Sequence, residues 1–232
     1  VGTDAMPELE RYVLALLARL DGVLRRAVED FDFTAYTRAL IAFCAEDLSA
    51  FYFDIRKDSL YCDARSDPRR RACRTVLDML FEALVRYLAP VLVFTAEEAW
   101  GTRFPGAGSV HLLEWPQVPA AIVDEARWTA LRALRARVNE AIEPLRRDKV
   151  LGSALEAEVT VPAALAPAAT PAELAELLIT ATIHLEPGEA VSVAVTHDHK
   201  CGRCWRHLPE VTEDGALCGR CETVVGAMED AA

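Results

Sequence analysis

Four cysteines near the C-terminal end of the chain are the residues best suited to chemistry. They form two Cys-x-x-Cys pairs, Cys201 with Cys204 and Cys218 with Cys221, separated by thirteen residues. A gap of two residues lets both thiolates of a pair face one point, and two pairs complete the tetrahedral four-sulfur shell that structural zinc prefers. The spacing therefore predicts one structural Zn²⁺ ion per chain, with these four cysteines as its ligands.

Two other interpretations of the cysteine pattern stay open at this point. The pairs could form disulfides, although the start of the chain shows no secretory signal, which disfavours them. A histidine could replace one thiolate, although four cysteines already complete the shell. Unpaired thiols beside a zinc site favour a reducing compartment, which predicts the cytoplasm. The nearby histidines are His197, His199 and His207, and the single cysteines are Cys44, Cys62 and Cys73.

The composition limits the classes of function that the chain can have. Its 232 residues are 52% hydrophobic, which is enough to bury a core. No apolar run reaches the roughly 18 residues that a membrane span requires. The net charge of −11 argues against non-specific binding to polyanions, so any nucleic-acid contact must use local basic patches. Because the chain begins at Val1, we expect it to be a fragment of a longer protein.

Apolar spacing predicts a mainly α fold that begins with an antiparallel helical bundle over residues 1–120. Helices are expected over residues 7–28 and 34–55, and a third begins at Asp67-Pro68, where Asp caps and Pro suits the first turn. Pro90 should end that third helix. Thr95-x-x-Glu98 is interpreted as a capping box for a short fourth helix, and Glu97 is likewise assigned to helix capping.

The remaining chain is predicted to form a small α+β module over residues 121–196 and a zinc knuckle module with four cysteine ligands over residues 197–232. A helix over residues 124–148 should kink or break at Pro144. Alternating patterns predict strands over residues 156–161 and 190–195, with a loop over 163–170 and a short helix over 171–179.

Four segments, in order, resemble the anticodon-binding region of bacterial isoleucyl-tRNA synthetases. They are residues 43–61 (FCAEDLSAFYFDIRKDSLY), residues 83–100 (ALVRYLAPVLVFTAEEAW), residues 146–157 (RRDKVLGSALEA), and the terminal pattern Cys201-x-x-Cys204-Trp205 with Leu217-Cys218-x-x-Cys221. Valyl- and leucyl-tRNA synthetases share a similar bundle without the two cysteine knuckles.

The resemblance implies a tRNA-binding C-terminal portion of a ligase that attaches isoleucine to tRNA(Ile) using ATP. The family's His-x-Gly-His and Lys-Met-Ser-Lys-Ser type motifs and its editing domain are absent from this chain. We therefore expect no catalytic residues here, and a role for ATP and isoleucine only in the full-length enzyme. The implied partners are the tRNA(Ile) anticodon stem-loop and the remaining synthetase domains, with a monomeric state and no membrane.

Holding an anticodon stem-loop requires cations for phosphates and flat groups for unpaired bases. Each candidate patch also has a structural explanation: a cation suits a helix C-terminus, forms a solvated face, or neutralises a thiolate zinc shell. Trp205 could pack over the zinc shell or stack on a base. The predicted tRNA-binding residues are Arg56, Lys57, Arg69, Arg70, Arg203, Trp205 and Arg206.

Three alternative functions stay open from the sequence. The chain could be a free-standing zinc-dependent nucleic-acid-binding module, since formamidopyrimidine-type DNA glycosylases end in a similar two-knuckle finger. It could be the anticodon-binding part of a valyl- or leucyl-tRNA synthetase. It could also be a zinc-stapled scaffold without an RNA role, which the acidic net charge favours. A further basic strip, which includes Arg146, Arg147 and Lys149, is interpreted as a mostly solvated helix face.

Overall fold

Helices dominate the computed structural model, which describes residues 1–229. Two compact units are present: residues Val1–Arg56 with Arg65–Val123, and residues Lys57–Ala64 with the chain from Asp124 onward. The predicted three-part division stays a prediction, and residues 230–232 of the predicted zinc module lie outside the described residues. None of the described helices is long and apolar enough to cross a membrane.

The first unit contains the predicted helices. Their bounds are α1 Glu8–Glu29, α2 Phe33–Ala42, α4 Pro68–Leu88 and α5 Val93–Arg103; a π-helical segment, Phe43–Phe53, joins α2 to α3, Asp54–Cys62. α1 buries one stripe that includes Leu9, Val13, Leu17, Leu20 and Leu24, as its apolar spacing predicts. Asp67 accepts hydrogen bonds from the backbone N–H groups of Arg69 and Arg70, which confirms the predicted start of α4.

The π-helical segment was not predicted. The sequence predicts one α-helix over residues 34–55, but the register changes at Phe43 and returns to α at Asp54. A π-helix is wider than an α-helix and rarely exceeds one turn. Here it runs for 11 residues and buries three aromatic side chains, Phe43, Phe51 and Tyr52, together with Leu48. The segment therefore fills the centre of the bundle with large rings.

A carboxylate near the C-terminal part of α1 holds together two further aromatic residues. Asp21 accepts hydrogen bonds from the Tyr87 hydroxyl at 2.7 Å, from the Trp115 indole N–H at 2.6 Å and from Arg25 Nε at 2.7 Å. Burial alone would raise the pKa of Asp21, but these donors bring that pKa below its ordinary value of 3.8.

The predicted capping box at the start of α5 is wrong. The N-cap lies three residues earlier, at Leu92, whose side chain cannot accept a hydrogen bond, and the helix begins at Val93. Glu97, assigned to capping from the sequence, instead accepts hydrogen bonds from Ser109 Oγ at 2.9 Å and from the backbone N–H of Val110 at 3.0 Å. This carboxylate therefore fastens the following loop to the helix.

The second unit contains a long helix and a three-stranded sheet. The elements are α6 Glu125–Arg147, β1 Ala157–Pro162, α7 Pro171–Leu178, β2 Thr182–Glu186 and β3 Ser192–Val195. The strand order is β2-β1-β3, with β1 parallel to β2 and antiparallel to β3. β2 was not predicted, and α6 continues through Pro144 to Arg147 without the expected break. α7 connects the two parallel strands, as such a connection requires.

Candidate metal centre and nucleic-acid interface

The first knuckle is a tight turn closed by its own backbone. The Cys201 N–H donates to the Arg206 carbonyl at 2.9 Å, and the Trp205 N–H donates to the Cys201 carbonyl at 3.0 Å. Gly202 lies so close to Gly215 that an added Cβ would sit 2.4 Å from the Gly215 carbonyl oxygen. Glycine is therefore required at position 202 by this close approach, whereas a Cβ at Gly219 would meet nothing nearer than 3.9 Å.

The second knuckle brings the four thiols together. Cys218 precedes helix α8, Gly219–Glu229, whose first turn contains Cys221. The sulfur atoms of all four cysteines lie within 4.8 Å of one another, and the sulfurs of Cys204 and Cys218 are 3.9 Å apart. A tetrahedral shell with zinc–sulfur bonds of about 2.3 Å needs sulfur atoms about 3.8 Å apart. All four residues are buried, so the cluster has the donor set and the spacing of a structural zinc site.

The thiols differ in how readily they lose a proton. Burial opposes ionisation of Cys201, but backbone N–H groups of Cys204, Arg203 and Cys218 outweigh it and lower the pKa of Cys201 to about 6. Burial raises the pKa of Cys204 to about 12 and also raises the pKa of Cys221. A cation at the centre of the cluster would stabilise all of the thiolates, because zinc binds the deprotonated form.

Histidine is absent from this cluster within residues 1–229, which agrees with a shell of four cysteines. His207 Nδ1 lies 2.8 Å from the Asp198 carbonyl oxygen, and His199 Nδ1 lies 3.5 Å from a carboxylate oxygen of Asp214. Both rings are thus engaged away from the thiols.

Arg203 attaches the first knuckle to the end of helix α3. Its guanidinium donates to the backbone carbonyls of Cys62 at 2.7 Å and Tyr61 at 3.3 Å, and contacts the Cys221 sulfur at 3.5 Å. Carbonyls in the last turn of a helix lack intrahelical donors and carry partial negative charge. Arg203 was predicted to bind tRNA; its guanidinium here binds a helix end and a zinc-site thiol, and the contact with tRNA stays a prediction.

Arg220 makes the second attachment to the same helix. Its guanidinium forms a bidentate pair with Asp58, with both distances 2.8 Å, and also lies 2.9 Å from Asp63. The Ser59 hydroxyl donates to the other oxygen of Asp63, whose side chain is only 2% exposed. Hydrogen bonding to Asp58 raises the pKa of Arg220, so the guanidinium stays charged. No local sequence pattern relates Arg220 to residues 58–63, so this attachment could not be predicted from the sequence.

Cys62 completes the contact between the knuckles and helix α3. Its side chain is buried in one cluster with the four zinc-site cysteines and Val211. Burial raises the pKa of Cys62 to about 11, so it stays a thiol. The segment Lys57–Ala64 and the zinc module therefore share one small core inside the second unit.

Arg56 is also a predicted tRNA contact, and it stays a prediction that the surroundings of the side chain do not favour. Its side chain is 6% exposed, and its Nε and Nη2 atoms bind the buried Glu10 carboxylate at 2.6 and 2.8 Å. Tyr52 donates to the same carboxylate at 3.3 Å. A buried, bidentate arginine of this kind belongs to the core and does not offer its charge to a phosphate at the surface.

Lys57, the next residue, is exposed. Tyr61 follows it by four residues on the same helix and is 79% exposed. Residues i and i+4 lie on one face of a helix, so a cation and a flat aromatic ring share an exposed face. Tyr61 is not among the residues predicted from the sequence, although its spacing from Lys57 indicates that the two share a helix face.

Trp205 is 63% exposed and therefore does not pack over the zinc shell. Its backbone has a φ of 65°, and the Lys200 ammonium lies 5.4 Å from the centre of its ring. Arg206 is half-buried beside it.

In the first unit, Arg69 and Arg70 are half-buried at the start of α4, where Asp67 caps the helix.

Two family models match the chain. The anticodon-binding domain of tRNA ligase matches residues 10–161, which is more than half of the chain, and the zinc finger found in FPG and IleRS matches residues 198–224. The second match agrees with the four-thiol cluster, and together they support a structural Zn²⁺ ion. The zinc finger is found in both FPG and IleRS, whereas the match to the helical region is to a domain of tRNA ligases.

Curated relatives agree with both family matches. The isoleucine–tRNA ligase of Zymomonas mobilis is 55% identical over 95% of this chain and 25% of the relative's length. Those of Gluconobacter oxydans and Mesorhizobium japonicum are 49% and 44% identical, over 96% and 94% of this chain and 25% and 24% of their own lengths. The chain thus spans about a quarter of the relatives it matches, and the resemblance predicted from the four segments is confirmed.

Proposed function

We propose that this chain, which belongs to the family of anticodon-binding domains of tRNA ligases, binds the anticodon stem-loop of tRNA(Ile) as part of an isoleucine–tRNA ligase. The observation that carries the proposal is the exposed face of helix α3, where Lys57 and Tyr61 stand beside the attachment of the zinc knuckles. The complete ligase would use ATP and isoleucine, act in the cytoplasm and be a monomer, while this chain alone would not charge tRNA.

Each exposed residue has a role that follows from its chemistry. Lys57 supplies a point charge for a phosphate, and the rings of Tyr61 and Trp205 supply platforms for unpaired bases. Arg206 adds a cation next to Trp205. Arg69 and Arg70 form a separate basic patch in the first unit, and the helix dipole at the start of α4 gives cations there no stabilisation, which favours a phosphate partner.

Zinc has a structural role in this proposal. The ion would be held by Cys201, Cys204, Cys218 and Cys221, one ion per chain, and would keep the two knuckles in the shape that presents Trp205. All four ligand positions are taken by thiolates, so no open position is left for catalysis.

Binding of a labelled anticodon stem-loop RNA to the chain tests the proposal. We expect the stem-loop of tRNA(Ile) to bind more tightly than an unrelated stem-loop or duplex DNA, with affinity that falls as salt rises. Lys57→Ala should weaken binding, whereas Arg137→Ala, which removes an exposed cation from α6, should not. Equal binding of duplex DNA, or no binding at all, would refute the proposal.

Trp205 allows a second, optical readout of the same experiment. Trp100 and Trp128 are 6% and 3% exposed, and Trp115 is half-buried, with its indole bound to Asp21 and covered by Arg25. Quenching of tryptophan fluorescence by stacked bases should therefore come mainly from Trp205. Trp205→Leu should abolish most of that quenching and weaken binding by about 1–3 kcal/mol for one lost stack. Full quenching in this variant would show that Trp205 does not stack on RNA.

A further inference from the structure

Helix α6 ends in a tight turn with a lysine at an unusual position. The Val150 N–H donates to the Leu145 carbonyl at 2.8 Å, and the Lys149 N–H donates to the Arg146 carbonyl at 3.1 Å. These two bonds form a Schellman motif, in which the residue after the C-cap takes the left-handed conformation. That residue is Lys149, with a φ of 59°.

Glycine is the residue that this turn normally uses, because a Cβ is unfavourable at positive φ. Asparagine is the usual second choice, since its short polar side chain tolerates the conformation. Lysine has neither advantage, so the geometry of the turn does not explain why a lysine occupies this position. A strained residue of this kind suggests that the side chain itself is needed.

The surroundings of Lys149 indicate what its side chain does. An open cavity of about 440 Å³ is lined by Glu143, Arg146, Arg147, Lys149, Leu151 and Gly152. Three of these residues are cations and one is an acid. All three cations are exposed, and the ion pairs of the two arginines are long: Arg146 lies 3.8 Å from Glu143, and Arg147 lies 3.6 Å from Asp148. Exposed pairs of this length are weak and can exchange for another anion.

The dipole of α6 offers a structural explanation for some of this charge. Cations in the last turn of a helix interact favourably with its C-terminal carbonyls, and Arg146 and Arg147 already occupy that turn. Lys149 lies beyond the helix, in a conformation that a lysine does not favour. The dipole therefore explains the two arginines better than it explains Lys149.

We infer that Arg146, Arg147 and Lys149 form a second contact site for RNA, which binds backbone phosphates of the tRNA at the C-terminal end of α6. This inference rests on the proposed function, because it assigns another part of the chain to the same ligand. Three cations around an open cavity suit a phosphodiester backbone, which carries charge but no base sequence. The acidic chain as a whole repels RNA, so affinity must come from local sites such as this one.

Lys149→Gly separates the RNA role from a structural one. A purely structural lysine gains nothing at this position, and glycine relieves the strain, so the melting temperature should rise by about 2–4 °C. Affinity for tRNA should nevertheless fall about threefold, and the slope of log affinity against log salt should decrease by about 1. Lys149→Arg should keep both the affinity and the salt slope.

The control is Arg137→Ala, which removes one positive charge from the same helix outside this cavity and should leave tRNA affinity unchanged. If Lys149→Gly binds tRNA with unchanged affinity and salt slope, the second site is refuted while the proposed function stands. If the unaltered chain binds no tRNA, the proposed function is refuted, and the second site is refuted with it. If inorganic phosphate at millimolar concentration protects Lys149 from amine-reactive labelling but tRNA does not, the cavity binds free phosphate and the inference is overturned.

Discussion

Arg56 and Lys57 are neighbours in sequence, yet they lie in opposite environments. Arg56 is paired with the fully buried Glu10, and Lys57 is exposed. We therefore predict that Arg56→Met destabilises the chain and that Lys57→Ala leaves its stability unchanged but weakens RNA binding. The two substitutions each remove one positive charge, so they form a matched pair in which only the location differs.

The expected loss in the free energy of unfolding for Arg56→Met follows from the geometry of the Arg56–Glu10 pair. Both guanidinium–carboxylate distances are short, 2.6 and 2.8 Å, and the side chains of Arg56 and Glu10 are 6% and 0% exposed. Removing one partner leaves an uncompensated charge in the core, which costs about 3–5 kcal/mol. Because a domain is typically stable by about 5–15 kcal/mol, the loss should be large. Lys57→Ala should change the free energy of unfolding by less than about 0.5 kcal/mol.

A double variant tests whether the cost comes from the unpaired carboxylate. Glu10→Met combined with Arg56→Met replaces the ion pair by apolar groups of similar size, which is often neutral or stabilising. The Tyr52 hydroxyl then loses its bond to Glu10 and keeps its contact with the Cys73 sulfur, 3.3 Å away, which should cost about 1 kcal/mol. The double variant should therefore be markedly more stable than Arg56→Met alone.

Urea unfolding followed by circular dichroism measures these differences, and binding of the anticodon stem-loop is measured below the melting temperature of every variant. Arg56→Met should retain its RNA affinity as long as it is folded, and Lys57→Ala should not. An Arg56→Met chain that is as stable as the unaltered one would refute the argument. So would a double variant as unstable as the single one, because the buried charge would then not be the cause.

Four further outcomes follow from the contacts described above. Arg220→Ala leaves the nearly buried Asp63 carboxylate without its cation and should cost about 3 kcal/mol in the second unit, as measured by urea unfolding. Metal analysis should find one zinc ion per chain, and Cys218→Ser should lower both the zinc content and the melting temperature; full retention of both would contradict a four-sulfur shell. Gly202→Ala should weaken zinc retention against a chelator because its Cβ meets a backbone carbonyl, whereas Gly219→Ala should not. Asp21, whose folded pKa lies below 3.8, contributes stability that is complete above that pH and is lost as the pH falls through its folded pKa; Asp21→Asn should flatten the acid limb of the stability–pH profile.

Sequence patterns predicted the features that depend on neighbouring residues alone: a buried helix face, a helix start and the cysteine pairs. The spacing of Leu9, Val13 and Leu17 gives the buried stripe of α1, and Asp67 with Pro68 gives the start of α4. Two Cys-x-x-Cys pairs give the thiol cluster, because each pair needs only its own backbone turn to face one point. Resemblance to a family then supplied the order of the parts and the RNA partner.

Contacts between distant residues decided the parts that were missed. Arg203 carried two explanations in the sequence. Only the fold shows that Cys62 meets Arg203, and that Asp58 and Asp63 meet Arg220, across more than a hundred residues. Arg56 looked like an exposed helix-end cation until Glu10, 46 residues earlier, proved to face it. The π-helical segment has no simple sequence signal, because its register depends on how its aromatic rings pack in the bundle.

The engaged arginines change the expected role of zinc in RNA binding. The guanidinium groups of Arg203 and Arg220 bind the end of helix α3 and the carboxylates of Asp58 and Asp63. The knuckles therefore hold that helix in place. Removal of zinc should release these attachments and disturb the face that carries Lys57 and Tyr61. Loss of RNA affinity on zinc removal would therefore arise through helix α3 as well as through the knuckle that presents Trp205, and substitutions of Lys57, Tyr61 and Trp205 should have little additional effect once the metal is gone.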